Sequence, residues 1–235
     1  MDKSTVLLKI SGELACWTRP DQKVERVSYE VMTPSAARNI LDAILWKPEM
    51  RWVVTRISVL RPIAFQAIRR NELQSKIAPG AVARWMADPT TYEPRAAGAG
   101  SDDATPRNTL ALRNVGYIIE AYPHVYAPTA EDTPIKYQAM FNRRVEKGQC
   151  FHRPALGCRE FAAHFEHPGI EDRPIAESRE LGWMLYDVVF RDHGAANRPV
   201  FFKAALDAGV MVTDPAVVLT DAAQKEEVMA CSYKR

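Results

Sequence analysis

The segment TPSAARNILDAILWKPEMRWVVTRISVLRPI, residues 33–63, decides the fold class of this chain. It opens with Thr33 and Pro34, a helix N-cap followed by proline at the first helical position. Apolar residues then recur at helical spacing up to Pro48, namely Ala36, Ala37, Ile40, Leu41 and Ile44. From Arg51 the apolar residues alternate with the period of a strand, at Trp52, Val54, Ile57 and Val59. The segment predicts a helix that leads directly into a strand.

The regions on either side repeat this alternation. Val6–Trp17 reads as a first strand, and Thr109–Tyr122 reads as a strand that follows a weakly patterned stretch. Thr133 and Pro134 repeat the helix-start signal, with helical spacing up to Gly148, and Phe161–Phe165 follows as a short strand. The resulting order, β-α-β-β-α-β, is typical of an α+β protein with a ferredoxin-like (RRM-like) core.

Two regions fall outside this core. Gln66–Pro106 is predicted to be an insertion, and its AAGAGS tract at residues 96–101 to be a mobile loop. Short strands are expected in a C-terminal antiparallel β subdomain, at Trp183–Phe190, Val200–Phe202 and Val210–Thr213. We therefore predict a ferredoxin-like domain over residues 1–165 and a small β-rich subdomain over residues 166–235.

Composition limits the class of protein. The chain has 235 residues, of which 47% are hydrophobic and 26% charged, values that are ordinary for a globular protein. It has no apolar run of membrane-spanning length, and its first residues do not resemble a signal peptide, so we expect a soluble cytoplasmic protein. The four cysteines form no CxxC pair, and we expect reduced thiols and no metal site, although Cys150, His152 and Cys158 lie close in sequence.

The charge is small but unevenly placed. The net charge is +2, yet residues 1–70 hold twelve Lys and Arg against seven Asp and Glu, while residues 161–235 hold eight against twelve. Arg51–Arg70 contains five arginines and no acidic residue. Such a distribution fits either a face that attracts a polyanion or a solvated face that keeps the protein soluble.

Two groups of residues are candidates for binding RNA, which is recognised by cations that contact phosphates and by aromatic rings that stack on bases. The first group is Arg19, Lys23, Arg26, Tyr29, Arg38, Trp46, Lys47, Arg51 and Arg56. For its aromatic members, a place in the core is the alternative. The second group is the segment at residues 147–161, KGQCFHRPALGCREF, in which His152 is a candidate acid or base, Arg153 a phosphate contact, and two glycines allow close backbone approach.

Several enzyme classes lack support. The sequence has no GxxxxGK[ST] or GxGxxG, which argues against nucleotide hydrolysis and dinucleotide binding, and no GxSxG or HExxH. Glu166, Glu171 and Asp172 lie near His164 and His167, where they fit either a divalent-ion site or an exposed loop, and we favour the loop.

Three blocks, at residues 24–48, 51–63 and 147–161, resemble the type I-C (Dvulg-subtype) members of the CRISPR-associated Cas-five family, in the RAMP superfamily. The resemblance implies a ferredoxin-like fold with a C-terminal β extension. It also implies an endoribonuclease that binds CRISPR repeat RNA, cuts pre-crRNA and keeps the 5′ handle within the interference complex, beside backbone and large subunits. The implied cut requires no cofactor: the ribose 2′-OH attacks the adjacent phosphate and leaves a cyclic phosphate.

The resemblance also suggests catalytic positions, and this chain departs from them. The family's Tyr before the WKP motif is Leu45 here, and its Lys-His pair is Ile135 and Lys136. We predict that Lys136 stabilises the phosphorane, that Tyr137 donates a proton, and that His152, or alternatively His124, completes the set. Arg143 and Arg144, on the same predicted helix, are expected to contact RNA.

Two other functions are compatible with the sequence. One is a non-catalytic subunit that caps the RNA within the complex, and the other is a DNA nuclease or duplex-DNA binder, which alone would require a divalent metal.

Overall fold

The computed structural model describes residues 4–22, 24–98, 100–190 and 197–230. The strands in these ranges are β1 (Val6–Ala15), β2 (Arg26–Val27), β3 (Met50–Val59), β4 (Phe65–Leu73), β5 (Ala104–Val125), β6 (His164–Glu166), β7 (Arg179–Val189), β8 (Arg198–Leu206) and β9 (Val210–Val212). The helices are α1 (Pro34–Ile44), α2 (Pro79–Ala87), α3 (Pro134–Glu146), α4 (Pro215–Val218) and α5 (Ala222–Ala230), with a 3-10 turn at Pro89–Thr91. The predicted α+β class is confirmed.

A seven-stranded sheet forms the centre of the molecule. Its main path runs β6-β1-β5-β3-β9, and each strand on this path is antiparallel to its neighbours. Helices α1 and α3 contact this sheet, α1 against β3 and α3 against β5 and β1. Alternate residues of β1, such as Val6, Leu8 and Ile10, are buried, as the period of a half-buried strand requires.

Helix α1 begins where the sequence predicts. The Oγ1 atom of Thr33 accepts a hydrogen bond of 3.2 Å from the backbone N–H of Ala36, which caps the helix. The helix ends at Ile44 rather than continuing to Pro48, because Leu45 is already extended. The carbonyl of Leu45 instead accepts a hydrogen bond of 2.8 Å from the Trp52 indole, which ties the helix end to β3.

The predicted insertion is an extension of the sheet. Strand β4 pairs with the first half of β5, from Ala104 to Leu112, and α2 lies between these two strands in the chain. The 22-residue strand β5 therefore belongs to both the extension and the central sheet. Near the junction, Asn114 has a φ of +50°, and its Oδ1 accepts a hydrogen bond of 2.6 Å from Arg61.

The C-terminal region shares the core of the rest of the chain. Strands β7 and β8 form an antiparallel hairpin, as predicted, and β9 joins the main sheet beside β3. Met184, Tyr186 and Phe202 lie in the same buried cluster as Leu8 and Trp52. The proposed boundary at residues 165 and 166 stays a prediction, and this shared core favours one continuous unit over two independent domains. None of the helices in the described ranges has the length and hydrophobicity needed to cross a membrane.

Candidate functional site

The first turn of α3 brings together a carboxylate, an ammonium group and a phenol. Thr133 caps the helix by accepting a hydrogen bond of 3.2 Å from the backbone N–H of Lys136. The Oδ1 atom of Asp132 accepts a hydrogen bond of 2.7 Å from the Tyr137 hydroxyl and forms an ion pair of 3.0 Å with the Lys136 Nζ atom. Two of the three predicted catalytic residues thus share one acceptor oxygen.

Neighbouring side chains and burial shift the pKa values of Asp132 and Tyr137. The hydrogen bonds from Tyr137 and then Lys136 hold the pKa of Asp132 below its ordinary value. Burial, and after it the bond to Asp132, raises the pKa of Tyr137 well above its ordinary value. Asp132 is therefore ionised and Tyr137 protonated at neutral pH, while the Lys136 side chain is 45% exposed and can reach an anion in solvent.

The segment after α1 lies beside this group. The charge of Lys47 contributes to the low pKa of Asp132, and that of Glu49 contributes to the high pKa of Tyr137. The backbone N–H of Tyr126, just after β5, donates to the carbonyl of Glu49 at 3.0 Å. These residues place an exposed ammonium group beside a carboxylate at one end of the sheet, and such a cation can offset the charge of a phosphorane. Tyr137, the predicted proton donor, is 2% exposed, so it holds Asp132 in place rather than meeting a substrate.

The two candidate histidines are not bonded to this group in the described ranges. His124 is near the end of β5, opposite Arg51, where burial and the Arg51 charge lower its pKa. His152 is exposed in the loop after α3, and its ring lies edge-on to that of Phe151 at 4.4 Å. Within the described ranges, no hydrogen bond joins His152 or His124 to Lys136 or Tyr137, so the structure does not assemble the predicted catalytic set as one group.

Arg38 and Arg51 lie inside the fold. Arg38 Nη2 is 3.0 Å from Asp187 Oδ1, and Arg51 Nη2 is 2.6 Å from Asp187 Oδ2. Arg38 also pairs with Asp42 at 3.0 Å. Tyr29 is buried too, with its hydroxyl accepting a hydrogen bond of 3.2 Å from the Leu185 backbone. Burial of these three side chains favours a structural role, and we leave them out of the proposed RNA-binding surface.

The other predicted RNA contacts divide by exposure. Arg19, Trp46, Lys47, Arg56, Arg143 and Arg153 are exposed, while Arg26 and Arg144 are half-buried. Arg26 is 3.5 Å from the Cys158 sulfur and pairs with Glu72 at 3.1 Å. Arg144 donates to the carbonyl of Ile44. Lys23 lies outside the described residues.

The glycines of the 147–161 segment have different roles. Gly148, after the end of α3, has a φ of +61° and open space around it. Gly157 has a φ of +88°, and a Cβ atom placed there would lie 1.9 Å from the Cys16 carbonyl oxygen. Glycine is therefore required at position 157 for packing against the chain after β1, rather than for approach to a phosphate.

Two of the acidic residues near His164 pair with a lysine of β1. Lys9 pairs with Glu166 at 3.0 Å and with Asp172 at 2.9 Å. No cluster of three or more His, Cys, Asp or Glu side chains that suits a metal ion occurs in the part of the chain the structure describes.

Sequence reasoning missed Asp132 and Phe151. Asp132 precedes Lys136 by four residues, a spacing that places opposite charges side by side at a helix start, so a search for such pairs would have found it. Phe151 is 69% exposed, and the sequence carries no signal that separates an exposed phenylalanine from a buried one.

Comparison with known proteins agrees with this architecture. A functionally uncharacterised protein of Streptococcus mutans, SMU1763c, has the same fold with a TM-score of 0.59 at 20% identity, covering 88% of this chain and 91% of that one. A crystal structure titled CRISPR-associated protein gives 0.59 at 21% identity, covering 88% and 90%. At this identity the likeness concerns the fold.

Sequence comparison identifies the family. Residues 5–226 match the profile described as CRISPR-associated protein (Cas_Cas5). The chain is 44% identical over 218 residues to the CRISPR pre-crRNA endoribonuclease Cas5d of Mannheimia succiniciproducens, covering 89% of this chain and 95% of that protein. It is 43% identical over 183 residues to the Thermus thermophilus protein of the same name, covering 78% and 72%. The chain therefore belongs to the CRISPR-associated Cas5 family, which its three sequence blocks indicate.

Proposed function

We propose that this protein is a pre-crRNA endoribonuclease that binds CRISPR repeat RNA and cuts it without a metal ion. The names of its two relatives support the activity. The observation that carries the proposal is the shared Asp132 oxygen, which holds Lys136 and Tyr137 together beside Lys47.

In the proposed reaction, the ribose 2′-oxygen bonds to the adjacent phosphorus and the bond from phosphorus to the 5′-oxygen breaks. Lys136 offsets the negative charge that develops on the phosphorane. Solvent supplies the proton that the 5′-oxygen gains, because Tyr137 is buried and donates its hydroxyl hydrogen to Asp132. His124 and His152 are the candidates for accepting the proton of the 2′-OH. The products are a cyclic phosphate and a free 5′-hydroxyl.

We further infer that the core is ferredoxin-like. The chain order β1-α1-β3-β5-α3-β6 is β-α-β-β-α-β, and these strands lie side by side as β6-β1-β5-β3. This order and the contacts of α1 and α3 with the sheet support the inference. We also propose crRNA and the backbone and large subunits of a type I-C interference complex as partners, with the 5′ handle retained after cleavage.

A second candidate, a non-catalytic RNA-capping subunit, has one observation in its favour. Leu45 stands where the family resemblance places a tyrosine, and it is fully buried with its carbonyl bonded to Trp52. This position therefore offers no hydroxyl and no access to RNA. The second candidate predicts that the protein binds repeat RNA tightly and releases no product.

One experiment separates these functions and the DNA-directed alternative. Repeat RNA and duplex DNA are each incubated with the protein, with and without a chelator, and the products are resolved on a denaturing gel. The proposal expects RNA cleavage that the chelator leaves unchanged, whereas a DNA nuclease would lose activity with the chelator. Lys136→Ala is expected to abolish cleavage while RNA binding stays within a few-fold, and Lys225→Ala serves as the matched control. Full cleavage by Lys136→Ala would remove Lys136 from the mechanism.

A further inference from the structure

The loop after α3 presents an apolar ring to solvent. Phe151 is 69% exposed, although a phenylalanine gains stability when its ring is removed from water. The exposure is not the result of a loose loop, because the backbone N–H groups of Phe151 and His152 both donate to the Ala43 carbonyl, at 2.9 and 3.0 Å. The backbone that carries the ring is thus tied to the last turn of α1, and the ring faces water.

A second aromatic side chain lies at the same helix end. Trp46 comes two residues after the last residue of α1 and is 37% exposed. The His152 ring lies against Phe151 at 4.4 Å, with the two planes at 66°. Exposed rings are therefore concentrated where the loop meets α1, and we refer to Trp46, Phe151 and His152 as the aromatic patch.

Exposed cations adjoin the aromatic patch in the chain. Lys47 follows Trp46, while Lys147 and Arg153 flank Phe151 in the loop, and all three are exposed. None of the three forms an ion pair with a carboxylate in the described ranges of the chain. Lys47 follows Trp46 of the patch in the chain and also lies near the candidate catalytic group, since its charge lowers the pKa of Asp132.

We propose that the aromatic patch is a binding site for one unpaired nucleotide of the RNA, with the base stacked on Phe151 and the adjacent phosphates held by Lys47, Lys147 and Arg153. The proposal rests on the proposed RNA-processing function. It adds that one unpaired nucleotide of the RNA binds next to the group formed by Asp132, Lys136 and Tyr137. Only an unstacked base exposes a face to a protein ring, so the site selects single-stranded RNA over a paired stem.

The combination of rings and unpaired cations favours a nucleotide over a protein partner. Stacking on a side chain is tolerant of base identity, and flanking cations contact the chain's phosphates, which is the usual composition of a single-strand binding groove. A protein–protein interface is centred on a wider apolar core than one exposed phenylalanine and one partly exposed tryptophan provide.

The test substitutes Phe151 and measures the stacking of single RNA bases. Repeat RNAs carry the fluorescent base 2-aminopurine at successive unpaired positions, because its emission is quenched when it stacks. With the wild-type protein, quenching beyond that of the free RNA is expected at one or two positions. Phe151→Ala should abolish that quenching and weaken RNA binding by roughly ten-fold. Phe151→Trp should retain both, and Ile170→Ala, which removes another highly exposed apolar side chain, should change neither.

The outcomes distinguish this site from the function on which it rests. If the wild-type protein binds and cuts repeat RNA but Phe151→Ala keeps the affinity and the quenching of wild type, the stacking site is wrong and the endoribonuclease proposal stands. If the wild-type protein does not bind repeat RNA, both proposals fail. Quenching that is lost in Phe151→Ala and not restored in Phe151→Trp would also overturn the stacking role. Circular dichroism of each variant identifies any that fail to fold, and Phe151→Leu, which keeps apolar volume without a ring, then replaces Phe151→Ala.

Discussion

The carboxylate of Asp187 lies 2.6 Å from the guanidinium of Arg51, and the two groups are buried together. Arg38 binds the other oxygen of the same carboxylate. Asp187 lies on β7, Arg51 on β3 and Arg38 on α1, so one acidic side chain connects the C-terminal hairpin to both layers of the central fold.

Removal of this carboxylate should destabilise the protein strongly. Asp187→Asn leaves two buried guanidinium groups without their shared counter-charge, and the loss of one partner of a buried ion pair costs about 3–5 kcal/mol. Urea unfolding of wild type and variant gives the difference in the free energy of unfolding. Asp21→Asn, which breaks an exposed pair with Arg19, is the control and should change the free energy of unfolding far less. Equal losses in the two variants would contradict a structural role for Asp187.

Asp42 should lower the free energy of unfolding as the pH rises, which is the opposite of the effect of a carboxylate whose pKa is lowered by folding. Burial raises its pKa from 3.8 to about 6, against the opposing effect of Arg38. The folded state therefore binds the proton more tightly than the unfolded state, so this group stabilises the protein at low pH and its contribution is lost as pH rises through about 6.

The Asp42 effect can be isolated by comparing two proteins. The free energy of unfolding is measured by urea titration at several values between about pH 4 and pH 7. The difference between wild type and Asp42→Asn should change across this interval, because the amide does not titrate. A constant difference would show that the pKa of Asp42 is not raised.

Asp132 should be required for cleavage and not for RNA binding. Asp132→Asn weakens the acceptor that holds Lys136 and Tyr137, and it removes a negative charge that repels phosphates. We expect the single-turnover cleavage rate to fall by about ten-fold or more, as for loss of one well-placed group, while RNA affinity stays equal or increases. Glu131→Gln removes the neighbouring exposed charge and should leave the rate within two-fold of wild type, roughly. Comparable rates for the two variants would exclude Asp132 from the site.

Cys158 should ionise at unusually low pH. The neighbouring Cys16 thiol, and after it the bond and charge of Arg26, lower the pKa of Cys158 below its ordinary value. The ultraviolet absorbance of the thiolate, followed during a pH titration, should show a step at lower pH than an ordinary thiol gives. The step should disappear in Cys158→Ser and persist in Cys150→Ser, because Cys150 is exposed whereas Cys158 is buried beside Arg26. A step that survives in Cys158→Ser would assign it to another group.

Short-range sequence patterns predicted the helices and strands of the central fold. The features that depend on contacts between distant parts of the chain could not be predicted in this way. Thr33 and Thr133 fix the starts of α1 and α3 through short-range caps that any sequence reader can identify. Strand β4 was missed because it is largely exposed and carries consecutive polar residues, so its pairing with β5 leaves no alternation in the sequence. The burial of Arg38 and Arg51 was missed because their partner, Asp187, lies more than a hundred residues away.

Strand β5 continues without a break from the extension into the central sheet. Ten residues of extended strand span roughly 33 Å, so the hairpin reaches far beyond the central sheet. Its base contains Asn114, the left-handed residue that Arg61 fixes by a hydrogen bond. The hairpin is also braced along its length, by β2, which pairs with β5 at Thr109 and Leu110, and by Arg26, which pairs with Glu72 on β4. The orientation of the outer hairpin is therefore fixed by the same residues that the central fold supplies.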